Sequence, residues 1–238
     1  MADIEETRNQ VLRSLDPSDY NLVRSNLTRI KFKLGDPFET AGEPIEHVFF
    51  LESGLASIVV RLLPGDDVEV GVAGRENMTG AAIVLGDQQS PFECMAQIAG
   101  EALRISTVEL KAAMDRSATL AQHLVTFTRA MSIQTGYTAH VNGHETILPR
   151  LARWLLMLHD RVDGDTFPVT HNLLSTMLGV RRQSVTEGLH ILEGKHLIDA
   201  ERASIVLRDR KGLVALAGAA YGNAEREYTR LTGQPLAK

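Results

Sequence analysis

The stretch from Thr170 to Leu197, THNLLSTMLGVRRQSVTEGLHILEGKHL, constrains this chain more than any other. Two helical periodicities meet there at a glycine. Thr170 is placed to cap the first helix, because its hydroxyl can accept from an amide that the helix leaves unbonded. Leu174, Met177 and Leu178 then recur at helical spacing. Gly179 stands where the chain must turn sharply, a conformation open to a residue without Cβ. In the second helix Val185, Leu189 and Leu192 mark an apolar side. The opposite side carries Arg182, Gln183, Thr186, Glu187 and His190. A helix-turn-helix presents the N-terminal turns of its second helix to the major groove of DNA. Arg and Gln have the bidentate geometry that base edges require. The same spacing also fits a plain helical hairpin with a solvated polar face.

The flanks favour the first reading. His196 to Asp199 and Ala203 to Leu207 read as short strands, with Glu201 and Arg202 near their turn, and Asp165 to Val169 (DTFPV) supplies a third strand before the motif. A helix-turn-helix followed by such a hairpin is a winged helix. Upstream, Glu145 to Arg161 reads as a helix with Leu148, Leu151, Leu155 and Leu158 on one side, its start flanked by Gly143 and Pro149. The tail from Gly212 to about Thr232 reads as one closing helix.

The N-terminal half has a different texture. Residues 3 to about 29 form one or two short helices, broken at Asp16-Pro17-Ser18. From Ile30 to Ser106 short β-type runs follow: Val48 to Leu51, Leu55 to Leu62, Val68 to Ala73, Cys94 to Ile98 and Ala102 to Ile105. Gly, Pro, Asp and Asn punctuate them as in an all-β barrel or roll, with Pro64-Gly65-Asp66-Asp67 as a hairpin turn. Thr107 to Met114 is a short helix. A long one follows from about Ser117 to Val141, in which Leu120, Leu124, Phe127, Met131, Gln134, Thr138 and Val141 recur at alternating steps of four and three. That is a heptad seam. It serves either a helix packed on its own β-domain or a helix paired with its copy.

Three segments carry a family resemblance: KFKLGDPFETAGEPIEHVFFLESGLASIVV, then ETILPRLARWLLMLHDRV with LLSTMLGVRRQSVTEGLHILEGKHLI, then SIVLRDRKGL. Together they resemble the Crp/Fnr-type bacterial transcription regulators, with glycines of the family's β-roll at Gly35, Gly42 and Gly54. The resemblance implies an α+β fold. Residues 1–116 would form a cyclic-nucleotide-binding-like β-roll (a double-stranded β-helix), 117–143 a dimerisation helix and 144–238 a winged helix-turn-helix domain. It implies a homodimer on double-stranded DNA, joined through Leu120, Leu124, Phe127, Met131, Gln134 and Thr138, with RNA polymerase as a further partner. Arg182, Gln183, Thr186 and Glu187 fall where members of the family contact bases. Thr170, Arg181, Ser184 and Arg202 fall where phosphates are expected, contacts that position without reading sequence. Glu187 stands where relatives carry a guanine-reading arginine. A carboxylate accepts from cytosine and cannot bond the acceptor edge of guanine, so the half-site should differ from theirs.

Cyclic-nucleotide binders of this family grip the ribose with a glutamate and the cyclic phosphate with an arginine followed by a small hydroxyl residue. In this chain Gly80 fits the cassette glycine, but the glutamate position falls on Ala81, the arginine position on Ser90 and the next on Pro91. No arginine lies between Arg75 and Arg104. A buried phosphate needs a paired cation, so the cassette is expected to be degenerate and cAMP and cGMP are not expected as ligands. A different small-molecule effector, or a filled core with no pocket, are the alternatives; a true cyclic-nucleotide-activated factor and a ligand-binding β-roll module that does not bind DNA are the rivals. Nor does the chain have the N-terminal cysteine set of oxygen-sensing relatives. His47, His123, His140 and His144 provide no evident haem ligand. His140 and His144 lack a third metal ligand, and Gly143 between them suggests a helix end. Cys94, in an apolar run, reads as a buried thiol. Neither a cofactor nor a metal is expected.

Charge is distributed in keeping with this plan. Residues 1–149 hold 12 Lys and Arg against 20 Asp and Glu, whereas residues 150–211 hold 10 against 8. Arg181, Arg182, Arg202, Arg208, Arg210 and Lys211 are candidates for a local positive face. No apolar run is long enough for a membrane span, the N-terminus MADIEETRNQ does not read as a secretory signal, and a single cysteine excludes an intrachain disulfide. A cytoplasmic protein is expected. There is no P-loop, HExxH or GxSxG signature, so an enzyme is not.

Overall fold

The computed structural model describes residues 4–63 and 65–236. Its elements run α1 (Gln10–Arg13), α2 (Pro17–Val23), β1 (Thr28–Phe32), β2 (Pro37–Glu39), β3 (His47–Leu51), β4 (Leu55–Val60), β5 (Val68–Ala73), α3 (Ala81–Val84), β6 (Glu93–Ile98), β7 (Gly100–Ser106), α4 (Thr107–Arg116), α5 (Ala118–His144), α6 (Ile147–Arg161), β8 (Thr166–Phe167), α7 (His171–Leu178), α8 (Arg182–Gly194), β9 (Ile198–Glu201), β10 (Ser204–Leu207), α9 (Arg210–Ala217) and α10 (Asn223–Thr232).

The N-terminal strands form two antiparallel sheets, β1-β7-β3 and β2-β6-β4-β5. Alternation along each strand sends one set of side chains inward. Phe32, Leu51 and Ala102 of the first sheet meet Phe38, Ala56, Cys94 and Ala96 of the second in one buried cluster. This is the expected β-roll. At the β4–β5 hairpin the Asp66 carboxylate accepts from the backbone N–H groups of Leu62 and Leu63; Pro64 of the expected turn lies outside the described residues, as does Asp3 at the start of the first helical segment.

Helix α5 leaves the β-roll behind a capping Ser117, whose hydroxyl accepts from Leu120 N–H at 3.2 Å. It continues through Gly143 to His144, so the helix end expected at Gly143 comes one residue later. The heptad seam is real but intrachain. Leu120, Leu124 and Phe127 are each 1% exposed within one chain, packed with Val11, Leu12 and Phe50. Gln134 donates to the Val72 carbonyl and accepts from the Val72 N–H, Thr138 accepts from Arg153, and Met131 and Val141 are buried as well. Leu120, Leu124, Phe127, Met131, Gln134 and Thr138, the residues expected at the contact with a second copy, are thus covered within their own chain. The face left open carries Gln122, Arg129, Ser132, Gly136, Ala139 and His140, with Val125, Ile133 and Tyr137 half-buried beside them.

Beyond α5 the chain builds a second layer. Helices α6, α7, α8 and α9 and the sheet β8-β10-β9 share one apolar core, which also takes in Leu55, Val59 and Val72 of the β-roll. Under the wing, Arg210 donates to His159 Nδ1 and Asp160, and Tyr221 donates to the same carboxylate. The tail differs from the single closing helix expected. It breaks after Ala217, at Gly218 (φ +53) and Gly222 (φ +98). Helix α10 then lies on α5, where the Tyr228 hydroxyl donates to the Glu76 carbonyl at 2.8 Å.

Candidate DNA interface and sensor cavity

Local chemistry sets the helix-turn-helix. Thr170 Oγ1 accepts from Leu173 N–H at 3.1 Å and opens α7. Gly179 ends it in the left-handed region at φ +60, where a Cβ would also come within 2.9 Å of Val68 on β5. Arg150 of α6 donates to the carbonyl of Leu178 and to Asn142 Oδ1, fixing the turn against α5 and α6. Helix α8 then buries Val185, Gly188, Leu189 and Leu192. The small Gly188 permits this approach, since a Cβ there would meet Leu151 at 3.2 Å.

The burial of that side decides what the other presents. Arg181, Arg182, Gln183, Glu187 and His190 are exposed, and Ser184 and Thr186 are half-buried. Two of the expected base contacts are bonded to each other: Gln183 Nε2 donates to Glu187 Oε1 at 2.8 Å, so they form one unit with a free amide oxygen and a free carboxylate oxygen. Thr186 is turned inward. Its hydroxyl bonds the Arg182 carbonyl at 3.1 Å and lies 3.0 Å from His171 Nδ1 of α7, which leaves chiefly its methyl for outward contact. Thr170 and Arg181 are exposed at the N-termini of α7 and α8, and Arg202 is exposed in the wing turn between β9 and β10.

Three expectations for this region change. Arg208 pairs with Asp199 at 2.6 Å, and Arg210 pairs with Asp160 at 2.7 Å, so neither is a free member of a basic face. The first wing strand starts at Ile198 rather than His196. His196 takes the left-handed conformation (φ +58), and its N–H and that of Leu197 bond back to the carbonyls of Glu193 and Leu192, closing the end of α8. Sequence reasoning also missed the contact made by the β4–β5 hairpin: Asp66, Asp67 and Val68 line one shallow pocket with Thr176, Gly179 and Arg181. No local signal marks a contact between segments more than a hundred residues apart.

In the β-roll the cassette positions frame a real cavity of about 340 Å³, against the alternative of a filled core. Gly80 sits in the left-handed region (φ +72) and starts the one-turn helix α3. Ala81, Ser90 and Pro91 line the cavity beside Ile58, Cys94 and Met131. Its charged groups are all acidic: Glu39, Asp87 and Glu93. Glu39 accepts from Gly80 N–H at 2.7 Å and is hydrogen-bonded by Ser90. Burial raises the Glu39 carboxyl above the usual carboxylate range against these two bonds. Burial likewise pushes the Cys94 thiol well up, with the Glu39 charge adding to it, so Cys94 is a protonated, buried thiol at pH 7. Among the described residues no Lys, Arg or His lines the cavity, and no group of three metal-ligating side chains occurs. No helix is long and apolar enough to cross a membrane.

A second polar cluster ties the layers together. Glu69 of β5 accepts from the Trp154 indole of α6 at 2.7 Å and from the Ser57 hydroxyl at 2.5 Å. Arg161 pairs with Glu76 at 2.8 Å, both side chains almost fully buried.

Comparison with known proteins agrees with this geometry. Residues 29–117 match the family model of the cyclic nucleotide-binding domain, and residues 149–216 that of the Crp-like helix-turn-helix domain. A search of curated proteins gave no match. Among solved structures, a putative Crp/Fnr-family transcriptional regulator from Eubacterium rectale superposes with a TM-score of 0.69 at 17% identity, covering 87% of this chain and 97% of its own. FixK2 from Bradyrhizobium japonicum gives 0.69 at 20% identity, with 82% and 99% covered. A CRP-family regulator from Thermus thermophilus gives 0.68 at 20%, with 81% and 98% covered. With its β-roll, long helix and winged helix-turn-helix in that order, matched by both domain models, the chain belongs to the Crp/Fnr family of transcription regulators.

Proposed function

We propose that the protein acts in the cytoplasm as a homodimeric regulator that reads a two-fold-related operator with the N-terminal turns of α8. The observation that carries this reading is the sidedness of α8: its apolar residues are buried while Arg182, Gln183 and Glu187 stand in solvent as a contiguous polar surface. Arg182 is the principal base reader, with the Gln183–Glu187 pair presenting acceptors to an adenine or cytosine edge. Thr170, Arg181, Ser184 and Arg202 hold phosphates and fix register. The two copies meet through the open face of α5, around Ser132, Gly136 and Ala139, where small side chains allow close approach. RNA polymerase is the further partner, and catalysis forms no part of the role.

The β-roll is read as an effector domain that does not take cyclic nucleotides. Its cavity offers carboxylates where a cyclic phosphate needs a cation. The match of residues 29–117 to the cyclic nucleotide-binding domain favours a second reading, a cyclic-nucleotide-activated factor. Calorimetry with cAMP and cGMP separates the two: heat of binding at micromolar nucleotide supports the second reading and overturns the first.

Base reading is tested with Arg182→Ala. The substitution should weaken operator binding by roughly 1–3 kcal/mol and relax preference at one base position. Fluorescence anisotropy across a panel of single-base operator variants measures both. A uniform loss over all sequences would instead make Arg182 a phosphate contact.

A further inference from the structure

We infer that the β-roll cavity takes a small amphipathic organic cation, an aliphatic or arylalkyl amine whose ammonium pairs with Glu39 and whose apolar body lies along Ile58, Ala82 and Met131. The inference rests on reading residues 29–117 as an effector domain and adds the chemical class of the effector.

Four features of the cavity point to this class. Its volume, about 340 Å³, suits a small ligand. Most of its wall is apolar, and Leu85 and Phe92 line it while 67% and 40% exposed, so it opens to solvent between apolar side chains. Its charged groups, Glu39, Asp87 and Glu93, are all acids, and among the described residues no basic side chain lines it to balance them. Two of the donors at its wall are already taken: Gly80 N–H and the Ser90 hydroxyl both bond Glu39. An incoming carboxylate or phosphate that used these donors would have to displace Glu39, and anywhere in the cavity it would lie near Glu39, Asp87 and Glu93, with like charges in a poorly solvated site. An ammonium gains a charge-assisted hydrogen bond there and leaves the Gly80 and Ser90 bonds intact. Burial without a counter-charge keeps the Glu39 carboxyl above its ordinary range, and pairing with a cation removes that penalty. Met131 links this event to the rest of the molecule, because it lies on α5 two turns from Thr138, which Arg153 of α6 contacts.

The test uses the full chain and three isosteric probes: 2-phenylethylamine, 2-phenylethanol and phenylacetate. Calorimetry gives affinities, and methyl NMR shifts of labelled methionine place the binding at Met78 and Met131, which both line the cavity. The amine should bind at least tenfold tighter than the alcohol and tighter still than the acid. Glu39→Gln should bring amine and alcohol to equal affinity, and Ala82→Leu, which fills the cavity, should weaken both; a thermal melt checks that each variant folds. The inference is overturned if phenylacetate or the alcohol binds wild type as tightly as the amine, if Glu39→Gln keeps the amine preference, or if none of the probes shifts the two methionine methyls. Operator binding measured on the same preparation separates the outcomes. Retained DNA recognition with no amine binding removes only the ligand class, whereas absent DNA recognition removes the regulatory reading itself.

Discussion

Glu69 allows a prediction whose size follows from its surroundings. It lies where β5 meets α6, 5% exposed, and accepts from Ser57 and from the Trp154 indole. Burial pushes its carboxyl up to about 7 from an ordinary 4.5, against the opposing pull of those two hydrogen bonds and of Arg153 and Arg161. The folded chain therefore holds a proton that the unfolded chain releases near 4.5. Stability from this group is fully present below that value and is lost as pH rises through about 7. Each tenfold difference in proton affinity between the folded and unfolded chain is worth about 1.4 kcal/mol. The loss between pH 5 and pH 8 is therefore about 2–3 kcal/mol. Glu69→Gln mimics the protonated form: its oxygen accepts from Trp154 and its amide donates to Ser57. Urea unfolding, followed by the fluorescence of the single tryptophan, gives the stability of both proteins across that range. Wild type should lose about 2–3 kcal/mol more than the variant. Parallel pH profiles for the two proteins would refute this reasoning.

Two further substitutions probe the turn and the assembly. Gly179→Ala adds a methyl 2.9 Å from Val68 Cγ2 at a left-handed residue, and should cost upwards of about 1 kcal/mol; Val68→Ala in the same chain should restore only the part due to the clash, read as a partial recovery of the melting temperature. Gly136→Ala adds a methyl with nothing within 4 Å of it in the single chain, and should strengthen α5 by about 1 kcal/mol. Because that methyl would stand between paired helices, sedimentation equilibrium should nevertheless show a weaker dimer; an unchanged association constant would move the dimer contact away from Gly136.

The motif was legible because its signals are local. Thr170 caps, Gly179 turns, and the leucines of α7 and α8 repeat within a few residues of one another. The strands were legible for the same reason. What periodicity does not carry is the identity of the covering partner. The steps of three and four from Leu120 to Thr138 mark a buried face, but it is the β-roll of the same chain that buries Leu124 and Phe127. The tail was misjudged because the helical pattern in residues 212–232 hides two residues, Gly218 and Gly222, whose positive φ values break it. The start of the wing was misjudged because the left-handed residue there is a histidine rather than a glycine. The cassette side of the cavity, Gly80, Ala81, Ser90 and Pro91, was legible; the rest of its wall was not. Glu39, Ile58, Ala82, Cys94 and Met131 come from five separate elements, and only the closed roll brings them together. The absence of an arginine near the cassette was visible in the sequence, but the presence of Glu39 at the cavity wall was not.

Selection of random duplex DNA by the purified protein tests the central claim most directly. A two-fold regulator should enrich an inverted repeat whose half-sites lie about one helical turn apart, and should lose that enrichment with Arg182→Ala. Recovery of no sequence preference, with or without amine or cyclic nucleotide added, would contradict the claim.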